Sequence, residues 1–135
     1  MDLDVLADAP KLAENAAHIA KKNANAAGKV ANLSDKVASL DVKHNAFLAN
    51  GHAISAAHEA EEAENHTNIA KHAAELGDHE TAGQAALAAL TNAQNASMHA
   101  QLAAHAAEDA GVHPVVTNKI ADDAADSHAE VEQAK

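Results

Sequence analysis

Small side chains recur along the middle of the chain at alternating intervals of four and three residues. Nine alanines follow this spacing without interruption in residues 79–110, and residues 52–76 repeat it with six alanines and one threonine. The positions are Ala82, Ala86, Ala89, Ala93, Ala96, Ala100, Ala103, Ala107 and Ala110, and Ala53, Ala56, Ala60, Ala63, Thr67, Ala70 and Ala74. This spacing keeps one stripe on one face of a slightly supercoiled helix. The pattern predicts two helices that pack closely along these positions, here called the alanine seam.

Glycines divide the chain into helical segments. Gly51, Gly77 and Gly111 each follow a long helical pattern, as a glycine just beyond a helix C-terminus does. Asp8 followed by Pro10 is typical of a helix N-terminus, and Pro114 is expected to close the loop after Gly111. The predicted helical segments are 5–50, 52–76, 79–110 and 116–134. The short connection 76–81 predicts that the two segments it joins form an antiparallel hairpin.

The first segment carries bulkier side chains at the same spacing. Its predicted seam is Val5, Ala9, Leu12, Ala16, Ile19, Asn23, Ala26, Val30, Leu33, Val37, Leu40, His44 and Phe47. The pattern crosses Gly28 without a phase shift, so the segment is one long helix or two halves broken near 28–34. Asn32 and Ser34 are suitable N-caps and favour the break. On this seam we expect Asn23 to set the register and His44 to be a core or interface histidine.

The last segment continues the spacing with Thr117, Ile120, Ala124, Ser127 and Val131. Seven larger side chains lie off the seam of the hairpin, and we expect them to contact the first and last segments. They are Ile54, Ile69, Leu76, Leu87, Leu90, Met98 and Leu102. The predicted fold is all-α: a single domain over 1–135, built as an up-and-down helical bundle of four or five helices with a tight, alanine-seamed antiparallel hairpin.

Composition explains why such a bundle is held together weakly. Alanine supplies 39 of the 135 residues, whereas Leu, Ile, Val and Phe together supply 23, and there is no cysteine. These values exclude an all-β sandwich, a Rossmann-type sheet, a disulfide scaffold and a thiolate metal site. An alanine seam buries little apolar area per residue. The predicted stability is modest, which leaves room for homo-oligomerisation or a bound ion to contribute.

The charge balance limits the partners. Nine lysines, no arginine and twenty acidic residues give a net charge of −11, which offers no basic surface for nucleic acid and disfavours anionic membranes. No apolar run reaches the length of a membrane span. The expected location is cytoplasmic if the chain is complete and periplasmic if a signal peptide has been removed.

Eleven histidines are the unusual chemical resource of this chain. When alanines occupy heptad positions a and d, eight histidines fall on the flanking lines f and g: His52, His58, His66, His72, His79, His99, His105 and His113. Histidine there is one more solvated polar residue, or it is a ligand, because neutral imidazole binds copper, nickel and zinc. No two histidines stand three or four residues apart, so the HxxxH and HExxH motifs are absent.

Pairing across the hairpin suggests which side chains would share an ion. With the turn centred near residue 79, Glu59 lies opposite His99 and His66 lies opposite Asn92. His–carboxylate pairs four residues apart, such as His58 with Glu62 and Glu62 with His66, add oxygen ligands. The predicted metal site is Glu59, Glu62, His66 and His99, with His52 nearby.

Two other functions remain open from the sequence. Protonation of the histidines near pH 6.5 would move the net charge towards zero and favour association, which predicts a structural or pH-responsive interaction module. An enzyme is not expected, since no nucleophile–base arrangement or glycine-rich phosphate loop is present.

The stretch Ile69–Leu90, IAKHAAELGDHETAGQAALAAL, resembles the small, histidine-rich, metal-binding four-helix-bundle proteins of nitrifying and related bacteria. The resemblance covers residues 52–110, and the histidine-poor first segment departs from it. It implies periplasmic binding of copper and other divalent metals, with His72, His79 and, more loosely, His58 and His105 as ligands. The function expected is binding or buffering of copper, nickel or zinc. The candidate ligands are His52, His58, Glu59, Glu62, His66, His72, His79, His99 and His105.

Overall fold

The computed structural model describes residues 8–135 and shows four α-helices in this range. They are α1 (Ala9–Val37), α2 (Lys43–Glu75), α3 (His79–Asp109) and α4 (Pro114–Ala134), with one 3₁₀ turn, Leu40–Val42, between α1 and α2. The first three helices all pack against one another, and α4 lies mainly against α3. This arrangement confirms the predicted all-α bundle. Val5 of the predicted seam lies outside the described residues.

The first connection falls later than predicted. Helix α1 runs without interruption through residues 28–34, and the chain turns at residues 38–42, so the predicted break near 28–34 is wrong. The Ser34 hydroxyl donates to the Ala31 carbonyl oxygen at 2.6 Å. It therefore bonds back to its own helix instead of capping a new one. Gly51 does not end a helix either, because it lies inside α2, where buried Ala49 and Ala56 on both sides continue the seam.

The other two glycines end helices as predicted. Gly77 and Gly111 have φ values of 77° and 112°, a left-handed conformation that glycine adopts without steric cost. After α2 the Asp78 N–H donates to the Ala73 carbonyl at 2.9 Å, and after α3 the Val112 N–H donates to Ala107 at 3.0 Å. Both turns are Schellman motifs, which satisfy carbonyls left free at the helix ends.

Side chains cap the helices that follow these turns. Asp78 Oδ1 accepts from the Thr81 N–H at 3.1 Å at the start of α3. This hydrogen bond holds the pKa of Asp78 below its ordinary value. His113 Nδ1 accepts from the Val115 N–H at 3.1 Å. Because Pro114 is the first residue of α4 and needs no N–H partner, the helix begins two residues before the predicted position 116.

The alanine seam forms the centre of the bundle. The eight seam alanines of α3 and Ala110, its C-cap residue, are all buried, and every seam residue of α2 is buried or half-buried. On α4 the predicted seam is also buried, apart from the half-buried Ile120. The hydroxyl of Thr67 on α2 lies 2.9 Å from the Ala13 carbonyl oxygen of α1. A side chain as short as threonine reaches the neighbouring backbone because the helices approach closely.

The seam of α1 is rotated relative to the prediction. Positions 9, 16, 23 and 30 are buried as expected. The buried residues that alternate with them are Ala13, Ala20, Ala27 and Ser34, each one position later than predicted. The predicted Leu12, Ile19 and Ala26 are half-buried beside the seam, and Leu33 is 37% exposed. Alanine fills most of the buried seam of α1, although Val30 is also fully buried there.

Several larger side chains face solvent, contrary to expectation. Of the seven expected to contact the first and last helices, Leu90 is buried and six are exposed, from 39% for Leu87 to 71% for Ile54 and Leu76. His44 is exposed and is not a core histidine. Asn23 is buried, but its amide donates to the Ile19 carbonyl of its own helix at 2.9 Å. This hydrogen bond stays within α1, and the role of Asn23 in setting the register stays a prediction.

We predict that enlarging one seam alanine destabilises the bundle. Ala93 is fully buried, so Ala93→Leu must push two helices apart and should lower the free energy of unfolding by about 1–3 kcal/mol. The same change at the exposed Ala125 of α4 is the control and should have little effect. Urea unfolding measures both. Equal stabilities for the two variants would contradict the close packing.

Candidate metal centre

Five polar side chains follow one edge of the α2–α3 hairpin. His52, Glu59 and His66 stand seven residues apart on α2, and Asn92 and His99 stand seven apart on α3. A spacing of seven keeps each set on one side of its helix, directly beside the seam. All five are half-buried, and we call them the polar edge. The antiparallel packing of the two helices brings the two sets into contact.

Asn92 connects two residues of the polar edge. Its Nδ2 donates to Glu59 Oε2 at 2.8 Å, and its Oδ1 lies 2.7 Å from His66 Nδ1. A carboxylate only accepts hydrogen bonds, so the NH₂ of Asn92 faces Glu59 and its carbonyl oxygen faces His66. His66 Nδ1 must therefore carry the proton and donate it to Asn92. Glu59, Asn92 and His66 form one continuous hydrogen-bonded chain.

The remaining two residues of the polar edge are a pair of stacked imidazoles. The ring centroids of His52 and His99 are 6.0 Å apart and the ring planes differ by 28°. His99 Nδ1 is buried and has no hydrogen-bond partner among the described residues. Burial and, to a lesser extent, the charge of His99 lower the pKa of His52. Both effects favour neutral imidazole, which is the form that binds metal ions.

The other candidate ligands lie apart from this edge. His58 Nε2 is 3.9 Å from Glu62 Oε1 on a more exposed line of α2. His72, His79 and His105 are exposed. Within residues 8–135, no group of three or more His, Asp or Glu side chains is placed to hold a metal ion. The structure thus offers pairs of ligands rather than one four-ligand group.

Asn92 is the member of this arrangement that was not among the candidate ligands. Of the two pairings predicted across the hairpin, the one between His66 and Asn92 is confirmed by their contact. Glu59, predicted to face His99, instead bonds to Asn92, while His99 stacks on His52. The sequence pattern that could have identified Asn92 is its spacing of seven residues from His99, which puts both on the same side of α3.

Comparisons of the chain with protein families, with curated proteins and with solved structures gave no match. The resemblance to the histidine-rich bundle proteins therefore stays a prediction. In the described part of the chain, no helix is both long and apolar enough to cross a membrane.

We predict that His52 makes stability depend on pH. Its pKa in the folded protein lies below the ordinary 6.5, so between these two values the unfolded chain binds more protons than the folded one. The free energy of unfolding should therefore fall as the pH drops from above 6.5 through the folded pKa. His99 on α3 is the titratable group that stacks against it.

Urea unfolding of the metal-free protein between pH 7.5 and 5.5 tests this prediction by comparing variants. His52→Gln should lose part of the pH dependence, whereas His44→Gln, which removes an exposed histidine of the same helix, should keep it. General changes in net charge affect both variants alike. The same slope in His52→Gln and in the unmodified protein would contradict the prediction.

Proposed function

We propose that this protein binds divalent transition metal ions reversibly at the polar edge, with His52 and His99 as the ligands of its main site. The observation that carries the proposal is the pair of adjacent imidazoles from two helices, one of which has a buried nitrogen with no hydrogen-bond partner within residues 8–135. A buried polar atom left without a hydrogen bond costs roughly 1–3 kcal/mol. A bound ion would remove that cost.

The chemistry of the donor set supports copper, nickel or zinc. Imidazole nitrogen suits all three ions, whereas calcium and magnesium prefer oxygen ligands. Of these three, copper(II) should bind most tightly, following the usual order of divalent metal affinities. The net charge of −11 also attracts cations to the molecule as a whole.

Two protein ligands indicate an exchangeable site. Structural zinc sites use four protein ligands and hold the ion permanently. An ion held by His52 and His99 keeps its other positions for water or for an incoming ligand. This arrangement suits buffering or transfer of the metal, which is the role we propose.

A non-enzymatic interaction module is the second candidate function. It is supported by the exposure of large apolar side chains, among them Leu40 at 87% and Phe47 at 73%. Protonation of the histidines at acidic pH would reduce the negative charge that keeps copies of the chain apart. Association at pH 5.5 without metal uptake at pH 7.5 would favour this function over metal binding.

We predict that copper(II), nickel(II) or zinc(II) binds in calorimetric titrations at pH 7.5 and binds more weakly at pH 5.5, because protons compete for imidazole. His99→Gln should weaken the tightest binding by at least about tenfold, since even the loss of a group that orients a metal ligand costs that much. His44→Gln is the matched control and should bind like the unmodified protein. Equal affinities for all three proteins would refute His52 and His99 as the site.

A further inference from the structure

Two hydrogen bonds fix the orientation of the His66 ring. Glu59 accepts from Asn92, and Asn92 accepts from His66 Nδ1, at 2.8 and 2.7 Å. A neutral imidazole that carries its proton on Nδ1 has its lone pair on Nε2. The chain of bonds therefore selects the tautomer that presents Nε2 as an acceptor.

This arrangement is typical of histidines that bind metal ions. Such a histidine almost always donates its other ring N–H to a carboxylate, a carbonyl oxygen or a water, which fixes the tautomer and makes the ligand more basic. Here an amide carbonyl receives the proton, and a carboxylate holds the amide in place. The three side chains are half-buried between two helices, which limits their freedom to rearrange.

A carboxylate stands one turn from His66 on the same helix. Glu62 precedes His66 by four residues, and side chains at this spacing are neighbours on a helix surface. Both residues are half-buried. Glu62 also has His58 one turn before it, with 3.9 Å between His58 Nε2 and Glu62 Oε1. His58 is the more exposed of that pair, with 68% of its side chain accessible.

We propose that His66 Nε2 and the Glu62 carboxylate form a second site for a divalent transition metal ion, separate from His52 and His99. Asn92 and Glu59 are positioning residues of this site, because they act on the ion through His66. The inference rests on the proposed metal-binding function of the polar edge but uses different ligands. Water completes the coordination of the ion, and exposed His58 is free to approach it.

The first test reads the tautomer of His66 directly in the full-length protein without metal. Long-range proton–nitrogen NMR spectra of the histidine rings should show His66 with its proton on Nδ1. Asn92→Leu should abolish this preference. The double variant Glu59→Gln with Asn92→Asp exchanges the amide and the carboxylate, so residue 92 still accepts from His66 and residue 59 now donates. It should restore the Nδ1–H tautomer.

The second test follows a zinc(II) titration ring by ring in the same spectra. Zinc should shift His66 Nε2, and Asn92→Leu should weaken binding at His66 by about 10- to 100-fold. The double variant should recover most of this affinity. Glu62→Gln should also weaken it, whereas Glu64→Gln, an exposed carboxylate of α2, should not. If Asn92 had only a structural role, the double variant would not recover zinc affinity and Glu62→Gln would not weaken zinc binding.

The possible outcomes distinguish this site from the main site formed by His52 and His99. A zinc response of His66 that is lost in Glu62→Gln supports the second site, whether or not His52 and His99 respond. A response of His52 and His99 alone overturns the second site and leaves the proposed function intact. An Nε2–H tautomer for His66 in the unmodified protein also overturns it. Glu62 lies outside the core, so its variant keeps the test decisive if Asn92→Leu fails to fold.

Discussion

Close approach of helix backbones along alanine is the constraint on which the rest of this structure depends. Each alanine buries little apolar area, so the bundle gains its cohesion from tight packing rather than from large side chains. The contact between the Thr67 hydroxyl and the Ala13 carbonyl oxygen, at 2.9 Å, shows how near α1 and α2 come. The same closeness favours small residues at the centre, although Val30, Leu90 and Val131 are also buried. It leaves Leu12 and Ile19 half-buried at the sides and Ile54 and Leu76 in solvent.

The polar edge follows from the same constraint. When two helices pack this closely, side chains on the flanking heptad positions meet across the hairpin even when they are short. Asn92 therefore reaches Glu59 and His66 at once. On a wider interface filled with leucine, an asparagine at this position could not bridge both. Polar residues that repeat every seven positions on both helices thus give two groups of contacts along one edge, Glu59 with Asn92 and His66, and His52 with His99.

Periodicity predicted the parts of the fold in which one residue type fills one face. The eight seam alanines of α3 and Ala110, and the turns at Gly77 and Gly111, follow from spacing and from glycine chemistry. Helix α1 was harder because alanines flank its larger residues, so two seams one position apart fit the pattern equally well. Packing against α2 and α3 selects the seam of α1 that has the smaller side chains. The prediction that a helix ends at Gly51 was wrong for a related reason. Glycine weakens an isolated helix, but the seam contacts on both sides of Gly51 stabilise α2 there.

Of the contacts in the candidate site, the sequence predicted the pairing of His66 with Asn92 but not the other two. An antiparallel hairpin with a known turn fixes which residues lie at the same height, and this placed His66 beside Asn92. The same reasoning placed Glu59 opposite His99, whereas Asn92 touches both His66 and Glu59 and so lies between their levels. Hydrogen-bond chemistry suits this arrangement: Asn92 offers Glu59 a donor and His66 an acceptor, while His52 stacks on His99.

Rigid helices explain why the candidate ligands occur here in pairs. A site with four protein ligands needs side chains that converge from several directions, as in the core of a bundle, but this core consists mostly of alanine, and no histidine, aspartate or glutamate of the described residues is buried in it. Ligands are therefore confined to the flanks, where one helix edge meets another and two side chains at a time can face an ion. Such sites keep open coordination positions, and ligands from another molecule can enter them. Sites of the proposed kind, on the edge of an acidic bundle, would suit passing a metal ion on better than retaining it.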